Sequence, residues 1–348
     1  MINSQLPFNR LKILSERTPS NSPLVQNAAA TCLNALHYLK GYRDAMPKME
    51  GILRLLRLTE ARISFEMDGL PVSLLRLMEA DASENHLDDE LCAAIIRSAH
   101  QFSNKKAINL VDLNPDGPGK KSNQLYREKK EITVKSYFTN LTLYTAPSGS
   151  QLLRKLRRDL DEVLYAEPED LQSISSIHYQ LRAVSPFPQL NGHSARNSTT
   201  LLLQNLGFSD GFILFCDALA DEKENYQNLM RNMMQAEALT DWHLFIFDRM
   251  EKATSKLVGL LKKVKEQSKR SEELINKYTD FNMPNGINAI LYEHVYIKPI
   301  DIISALGCHR QTAYGYLSHL IKMGLLTEKR SGREKLYFHK DLFDLLSN

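Results

Sequence analysis

The sequence predicts a mainly α-helical protein, interrupted once by a β-hairpin and closed by a small α+β module. Three patterns carry that reading. Apolar residues recur at helical spacing through Val25–Leu58 and again from Trp242 to about Lys277. β-Branched residues alternate at Ile132-Thr-Val-Lys135 and Leu141-Thr-Leu-Tyr144, which reads as a hairpin. Past residue 296, two short helical patterns separated by Gly307 run into a pair of basic strands.

Composition sets the outer bounds. A chain of 348 residues with 43% hydrophobic content can hold two or three domains with real cores. A formal charge of +3 is too mild to mark the whole protein as a nucleic-acid binder. Cys32, Cys92, Cys216 and Cys308 form no Cys-x-x-Cys pair, so they offer neither a zinc site nor a disulfide framework and fit a reducing compartment. No apolar run approaches a membrane span, and the N-terminus has no basic-then-apolar leader. The expectation is a soluble cytoplasmic protein with no membrane partner.

Residues 1–25, rich in Pro, Ser and Asn, read as an extended arm. Helices follow to residue 58, then a helix pair over 72–103 joined by the acidic segment Asp81–Glu90. Asn114-Pro-Asp-Gly-Pro-Gly-Lys-Lys121 is a turn whose lysines read as solvated. After the hairpin, Gln151–Tyr165 is amphipathic, with Leu152, Leu156, Leu160 and Val163 expected inward and a basic solvated face. Further helices are expected at Phe212–Leu219 and Tyr226–Met234, then the long one from Trp242, whose charged second half is expected to project from the core. Tyr278–Gly286, with Pro284-Asn-Gly286, reads as the linker. The organisation expected is 1–103, 104–278 and 279–348.

The most informative stretch is Ser185-Pro-Phe-Pro-Gln-Leu-Asn-Gly-His-Ser-Ala-Arg196, which runs into leucines at 201, 202, 203 and 206. Its prolines hold the chain extended, Asn191-Gly192 is expected to turn, and Asn191 or Ser194 to cap a buried helix. Most such turns are only helix caps, yet the free backbone N–H groups also suit an oxyanion. The residues alone leave both readings open.

This stretch resembles the signature loop of the Fic (filamentation/Doc) family, His-x-Phe-x-(Asp/Glu)-Gly-Asn-Gly-Arg-x-x-Arg. Phe187, Asn191, Gly192 and Arg196 stand where that pattern has them, and His178-Tyr179-Gln180 with Ala183-Val184 is similar to the family's preceding helix. The resemblance implies a Fic-type helical core whose β-hairpin is a flap that aligns a target segment by strand addition. It also implies losses. Ser185 stands at the catalytic histidine, Gln189 at the metal-binding acid, Leu190 at the first glycine and His193 at the first arginine. No catalytic residue is then expected, His193 being the one candidate substitute base. Asn191, Gly192, His193 and Arg196 form the implied nucleotide- or phosphate-binding set.

Upstream, Thr59-Glu-Ala-Arg-Ile-Ser-Phe-Glu-Met-Asp-Gly69 is similar to the family's inhibitory helix, Ser/Thr-x-x-x-Glu-Gly/Asn. Ser64 and Gly69 match, and Asp68 replaces the glutamate. By itself Asp68-Gly69 is an ordinary helix stop; the resemblance implies that Asp68 meets Arg196. Gln124-Leu-Tyr-Arg127 is similar to a further family segment, Pro-Gly-x-(Phe/Tyr)-Arg, without its glycine.

The tail reads as a winged helix-turn-helix: helices at Tyr296–Leu306 and Arg310–Met323, then strands around Ser331-Gly-Arg333. It resembles the C-terminal module of many Fic proteins. Tyr314, Leu317, Leu320 and Ile321 are expected inward. Across 296–348, eight basic side chains stand against five acidic ones. Arg310, Gln311 and Thr312 fall in the first turn of the second helix, and Lys329, Arg330 and Arg333 on the wing, where base and phosphate contacts would be made. A module used only for protein contact or dimerisation is the competing reading.

In an intact Fic enzyme the histidine takes the proton from a target Ser, Thr or Tyr hydroxyl, which attacks the α-phosphate of ATP while the acid holds Mg²⁺. Ser185 has no basic nitrogen and Gln189 is a poor Mg²⁺ ligand, so no metal set is expected. Two classes of function follow. One is a catalytically degenerate Fic-fold regulator that binds double-stranded DNA, with ATP or another nucleotide as candidate ligand and a homodimer as the expected assembly. The alternative is a divergent adenylyltransferase that transfers AMP to a protein hydroxyl, inhibited in cis by Asp68.

Overall fold

The computed structural model describes residues 3–46, 49–82, 89–100, 108–114, 125–128, 130–168, 170–208, 213–278, 284–294, 296–331 and 334–347. Arg333, the core of the Asp81–Glu90 segment and the lysine turn after Asn114 lie outside them, and Arg330 is described by its backbone alone. The chain packs as two compact units, each discontinuous in sequence. They do not map one-to-one onto the regions 1–103, 104–278 and 279–348.

The first unit comprises Met1–Gly41, Ile63–Pro71 and His100–Lys256. It holds α1 (Pro23–Asp44) up to Gly41, the end of α2 (Glu50–Met67), and the hairpin β1 (Thr133–Lys135) and β2 (Thr142–Thr145). Then come α5 (Ser150–Tyr165), α6 (Leu171–Val184), α7 (Asn191–Leu202), α8 (Phe215–Ala220), α9 (Lys223–Asn232) and the first part of α10 (Thr240–Tyr278). The extended arm is present: Phe8 N donates to Thr145 O at 3.0 Å, continuing the edge of β2. β1 and β2 pair antiparallel, Val134 opposite Tyr144.

Helices α6 and α7 form the centre, and every residue of α7 is buried. Burial of so many polar side chains requires internal partners. His178 supplies them, with Nδ1 2.8 Å from Thr199 Oγ1 and Nε2 2.9 Å from Tyr226 OH. Trp242 closes the group by donating to Ser175 O at 2.8 Å. On α5 the buried stripe is Leu153, Leu156, Leu160 and Leu164, one residue round from the stripe expected through Leu152 and Val163. Asp159 takes the intervening buried place because its carboxylate caps the arm, accepting Leu14 N at 2.6 Å.

The second unit comprises Tyr42–Arg62, Val72–Ala99 and Leu257–Asn348. It includes α3 (Leu74–Ala82), α4 (Glu90–His100) up to Ala99 and the last part of α10. Its remaining elements are α11 (Pro284–Glu293), α12 (Pro299–Leu306), α13 (Arg310–Lys322), β3 (Leu326–Ser331), β4 (Glu334–His339) and α14 (Lys340–Ser347). Two expectations are corrected here. The second half of α10 is not a free projection, since Leu261, Val264 and Ile275 are buried. Of the expected linker Tyr278–Gly286, residues 279–283 lie outside the described residues, and Pro284-Asn-Gly286 is the opening of α11; proline is well placed in a first helical turn, where its missing N–H is not needed.

The order α12, Gly307, α13, β3, β4 is the one expected. Gly307 sits at φ +61°, and its N–H closes α12 on Ile303 O. Ala313, Leu317 and Leu320 are buried on α13, whereas Tyr314 is 41% exposed and faces outward, contrary to expectation. Among the described residues no helix is long and apolar enough to cross a membrane.

Gly51 on α2 lies against the chain just past α11. A Cβ there would stand 2.6 Å from backbone atoms of His294, which cannot swing aside as a side-chain end can. Gly51→Ala is expected to destabilise the protein by about 1–3 kcal/mol. A thermal melt unchanged from that of the parent would show that the approach is looser than described.

Candidate functional site

The site is built at the junction of α6 and α7. Helix α6 ends on Ser185, whose φ of +48° turns the chain out of the helix. Its side chain is wholly buried, and its hydroxyl donates to Arg182 O at 2.9 Å. Arg127 clamps this exit: it donates to Ser185 O at 2.5 Å, Val184 O at 2.7 Å, Pro147 O at 2.6 Å and Lys130 O at 3.2 Å. Burial, only partly offset by Tyr144, pushes the Arg127 pKa down to about 10.

The turn expected at Asn191-Gly192 lies one residue earlier. Asn191 is already the first residue of α7, and the cap residue is Leu190 at φ +56° with no side-chain cap bond. Asn191 works backward along the loop instead, its Oδ1 accepting Phe187 N at 2.8 Å and its Nδ2 donating to Phe187 O at 2.9 Å. Ser194 is likewise no cap; its hydroxyl donates to Leu190 O at 3.1 Å.

The free amides at the start of α7 face the end of α2. That helix closes with Leu70 N on Phe65 O and Gly69 N on Glu66 O, and Gly69 has φ +87°. This is a glycine C-cap, in which Asp68 is the last half-helical residue. Its carboxylate accepts His193 N at 2.9 Å through Oδ2 and Arg196 Nη2 at 2.9 Å through Oδ1. Ser64, one turn back, accepts Arg196 Nε at 3.0 Å on Oγ and Nη2 at 2.6 Å on its carbonyl. The same Oγ lies 2.8 Å from His193 Nδ1. Since an arginine can only donate, the Ser64 proton is free to go to a neutral imidazole. Phe65 covers that ring at 4.4 Å.

Gly192 makes the approach possible. A Cβ there would lie 2.2 Å from Asp68 Oδ1 and 2.9 Å from Arg196 Nη1. Thus Ser64 and Asp68 meet His193 and Arg196, and Gly192 leaves room for the carboxylate. Burial pushes the Asp68 carboxyl up, but Arg196 and Arg182 pull it further down, to below the usual carboxylate range. Burial, helped by Arg196, pushes His193 down to about 3. Arg196, with no exposure, is held charged by Asp68 against the cost of burial.

Arg182 was not singled out from the sequence. Half-buried in the last turn of α6, it adds a second positive charge acting on Asp68, and the only sequence signal is a basic residue three places before Ser185. Gln189 is exposed. A neutral amide at that place does not fit Mg²⁺, and among the described residues no group of three His, Cys, Asp or Glu is placed to hold a metal.

On α13, Arg310 and Gln311 are exposed and Thr312 is half-buried. Arg310 lies 5.6 Å above the Tyr314 ring. Lys329 on β3 is not a free wing cation: its ammonium is 2.5 Å from Glu79 of α3.

Comparison with known proteins finds two similarities. A Fic family protein from Desulfovibrio desulfuricans G20 has a similar structure, with a TM-score of 0.57 at 15% identity over 92% of this chain and 98% of that one. The mostly helical chain with its two-stranded flap therefore has the Fic fold. Residues 285–342 match the family model for the C-terminal domain of SoFic-like protein adenylyltransferases.

The buried imidazole gives a pH test. His193 in the unfolded chain takes a proton near pH 6.5, whereas in the folded protein it does so only near 3. Stability is therefore unaffected by this group above about pH 6.5 and falls by about 1.4 kcal/mol per pH unit below it, until about pH 3. Chemical denaturation between pH 6 and 4 should give His193→Gln a slope shallower than wild type by about that amount. Equal slopes would mean that the folded protein protonates His193.

Proposed function

We propose that this Fic-fold protein carries out no AMP transfer and acts as a regulator, binding a phosphate-bearing ligand at Arg196 and duplex DNA through the 285–342 domain. The carrying observation is Ser185. A hydroxyl stands where the resemblance puts the general base, buried and donating to Arg182 O. A hydroxyl cannot take a proton from a target near neutral pH, and loss of proton transfer costs about 10²–10⁴ in rate. The neutral amide of Gln189 weakens metal binding further. His193 does not favour a rescue, because it is buried with its Nδ1 engaged by Ser64.

Ligand binding is easier to support. Asp68 holds the His193 amide and one arm of Arg196 in the way an oxyanion would, so the site accepts a negative group in the place where a phosphate of ATP or another nucleotide would compete. His193 N, Arg196 and Arg182 would hold those phosphates, and Asp68 would oppose them. For DNA, the support is the exposed Arg310 and Gln311 in the first turn of α13, side chains able to make bidentate contacts with guanine and adenine. A homodimer would present two such helices to paired half-sites.

The second reading, a divergent adenylyltransferase, draws on the match of residues 285–342 to a domain of adenylyltransferases and on the retained Asp68. Incubation with labelled ATP and Mg²⁺ separates the two. No label is expected on the protein itself or on lysate proteins until Ser185→His and Gln189→Glu are combined. Robust labelling by the wild type would sink the regulator reading.

DNA binding is tested by titrating genomic fragments across salt concentrations. Arg310→Ala should reduce discrimination between sequences, while Lys329→Ala/Arg330→Ala should weaken all binding and flatten the salt slope. No salt-sensitive binding to any fragment would make 285–342 a protein-contact domain.

A further inference from the structure

Tyr137 lies in the turn between β1 and β2, at the tip region of the flap. Two bonds from a buried glutamine on α9 fix its backbone. Gln227 Oε1 accepts Tyr137 N at 3.0 Å, and Gln227 Nε2 donates to Lys135 O at 2.8 Å. Next in the turn, Phe138 is 59% exposed, whereas the Tyr137 hydroxyl is buried. The phenol faces the guanidiniums of Arg196 and Arg182 and the carboxylate of Asp68.

Two buried polar atoms here have no hydrogen-bond partner among the described residues: Tyr137 OH and Arg196 Nη1. The phenol lies at the edge of hydrogen-bond reach of the Arg196 guanidinium, yet neither orphan atom makes a well-formed hydrogen bond. Asp68 does not serve them, because its two oxygens are committed to His193 N and Arg196 Nη2. Both orphans can donate, and Arg196 Nη1 can do nothing else. Buried donors without an acceptor cost free energy, and two of them beside a second guanidinium suit one acceptor with several lone pairs and a negative charge.

We propose that the Tyr137 hydroxyl is a binding residue for a phosphate-type oxyanion, donating to it together with Arg196 Nη1, so that the flap takes part in holding the ligand. This rests on the reading of the α7 start as an anion site and assigns the flap a part in it. The oxyanion is the shared chemistry; free phosphate and the phosphates of a nucleotide are its two sources.

Calorimetric titration with inorganic phosphate, pyrophosphate and ATP, on the full chain, tests the assignment. The proteins are wild type, Tyr137→Phe, Asp68→Asn, the double variant, and Tyr165→Phe as a control at a tyrosine 85% exposed. Asp68→Asn should bind more tightly than wild type, because a competing charge is removed. Tyr137→Phe should weaken binding about tenfold in either background, the typical worth of one hydrogen bond to a charged group. Tyr165→Phe should change nothing. Binding of phosphate alone would assign the free anion, and binding of ATP alone the nucleotide.

Tyr137→Phe should also melt no lower than wild type, since its hydroxyl has no well-formed hydrogen bond to lose in the free protein. A lowered melting point would show the hydroxyl to be bonded there and would overturn the proposal. Equal affinities with and without the hydroxyl would overturn the role of Tyr137 and leave the anion site standing. Folded wild type and Asp68→Asn that bind none of the three ligands would overturn both. The wild-type pair keeps the comparison valid should Asp68→Asn fail to fold.

Discussion

A buried guanidinium without a counter-charge is among the most expensive things a fold can contain, and Arg196 has no exposure at all. Asp68 resolves it with one carboxylate that also takes up the free His193 amide at the start of α7. The rest of the first unit's centre is arranged around that contact. Gly69 stops α2 so that Asp68 falls at its end, and Gly192 leaves room for the carboxylate. Ser64 accepts from Nε and Nη2 of the guanidinium and steadies the imidazole. Removing one partner of such a pair generally costs about 3–5 kcal/mol, because the other charge stays buried and unpaired.

The loop before α7 holds a strained backbone in place. Leu190 adopts a left-handed conformation that costs a side-chain-bearing residue about 1–2 kcal/mol, at the place where the family pattern has glycine. Asn191 and Arg127 hold it there through bonds to loop carbonyls and an amide. Local strain of this kind persists only where the surroundings over-determine the conformation.

In the second unit, the exposed first turn of α13 and the ion-paired strand β3 divide what the sequence treated as one basic surface. Arg310 and Gln311 are open to a partner, while Lys329 is already satisfied by Glu79. Electrostatic binding through β3 would have to displace that part-exposed pair, which at such exposure holds only about 0–1 kcal/mol. The outward Tyr314 beside Arg310 widens the same face with an aromatic ring.

What the sequence determined by itself is what short-range physics encodes. Periodic leucines gave the helices, β-branched alternation the flap, and the glycines at 69 and 307 the helix ends, because each signal acts within a few residues. The pairing of Asp68 with Arg196 was legible only through resemblance, since 128 positions separate the partners. Tertiary structure alone decided the rest. Leu190, not Asn191, became the cap because Asn191 was drawn back to Phe187. The charged half of α10 was packed because neighbours in the second unit bury Leu261, Val264 and Ile275. Arg127, Arg182 and Tyr137 joined the site without any local mark, for an unpartnered hydroxyl or a clamped carbonyl is a property of the space around a residue and not of its neighbours in the chain.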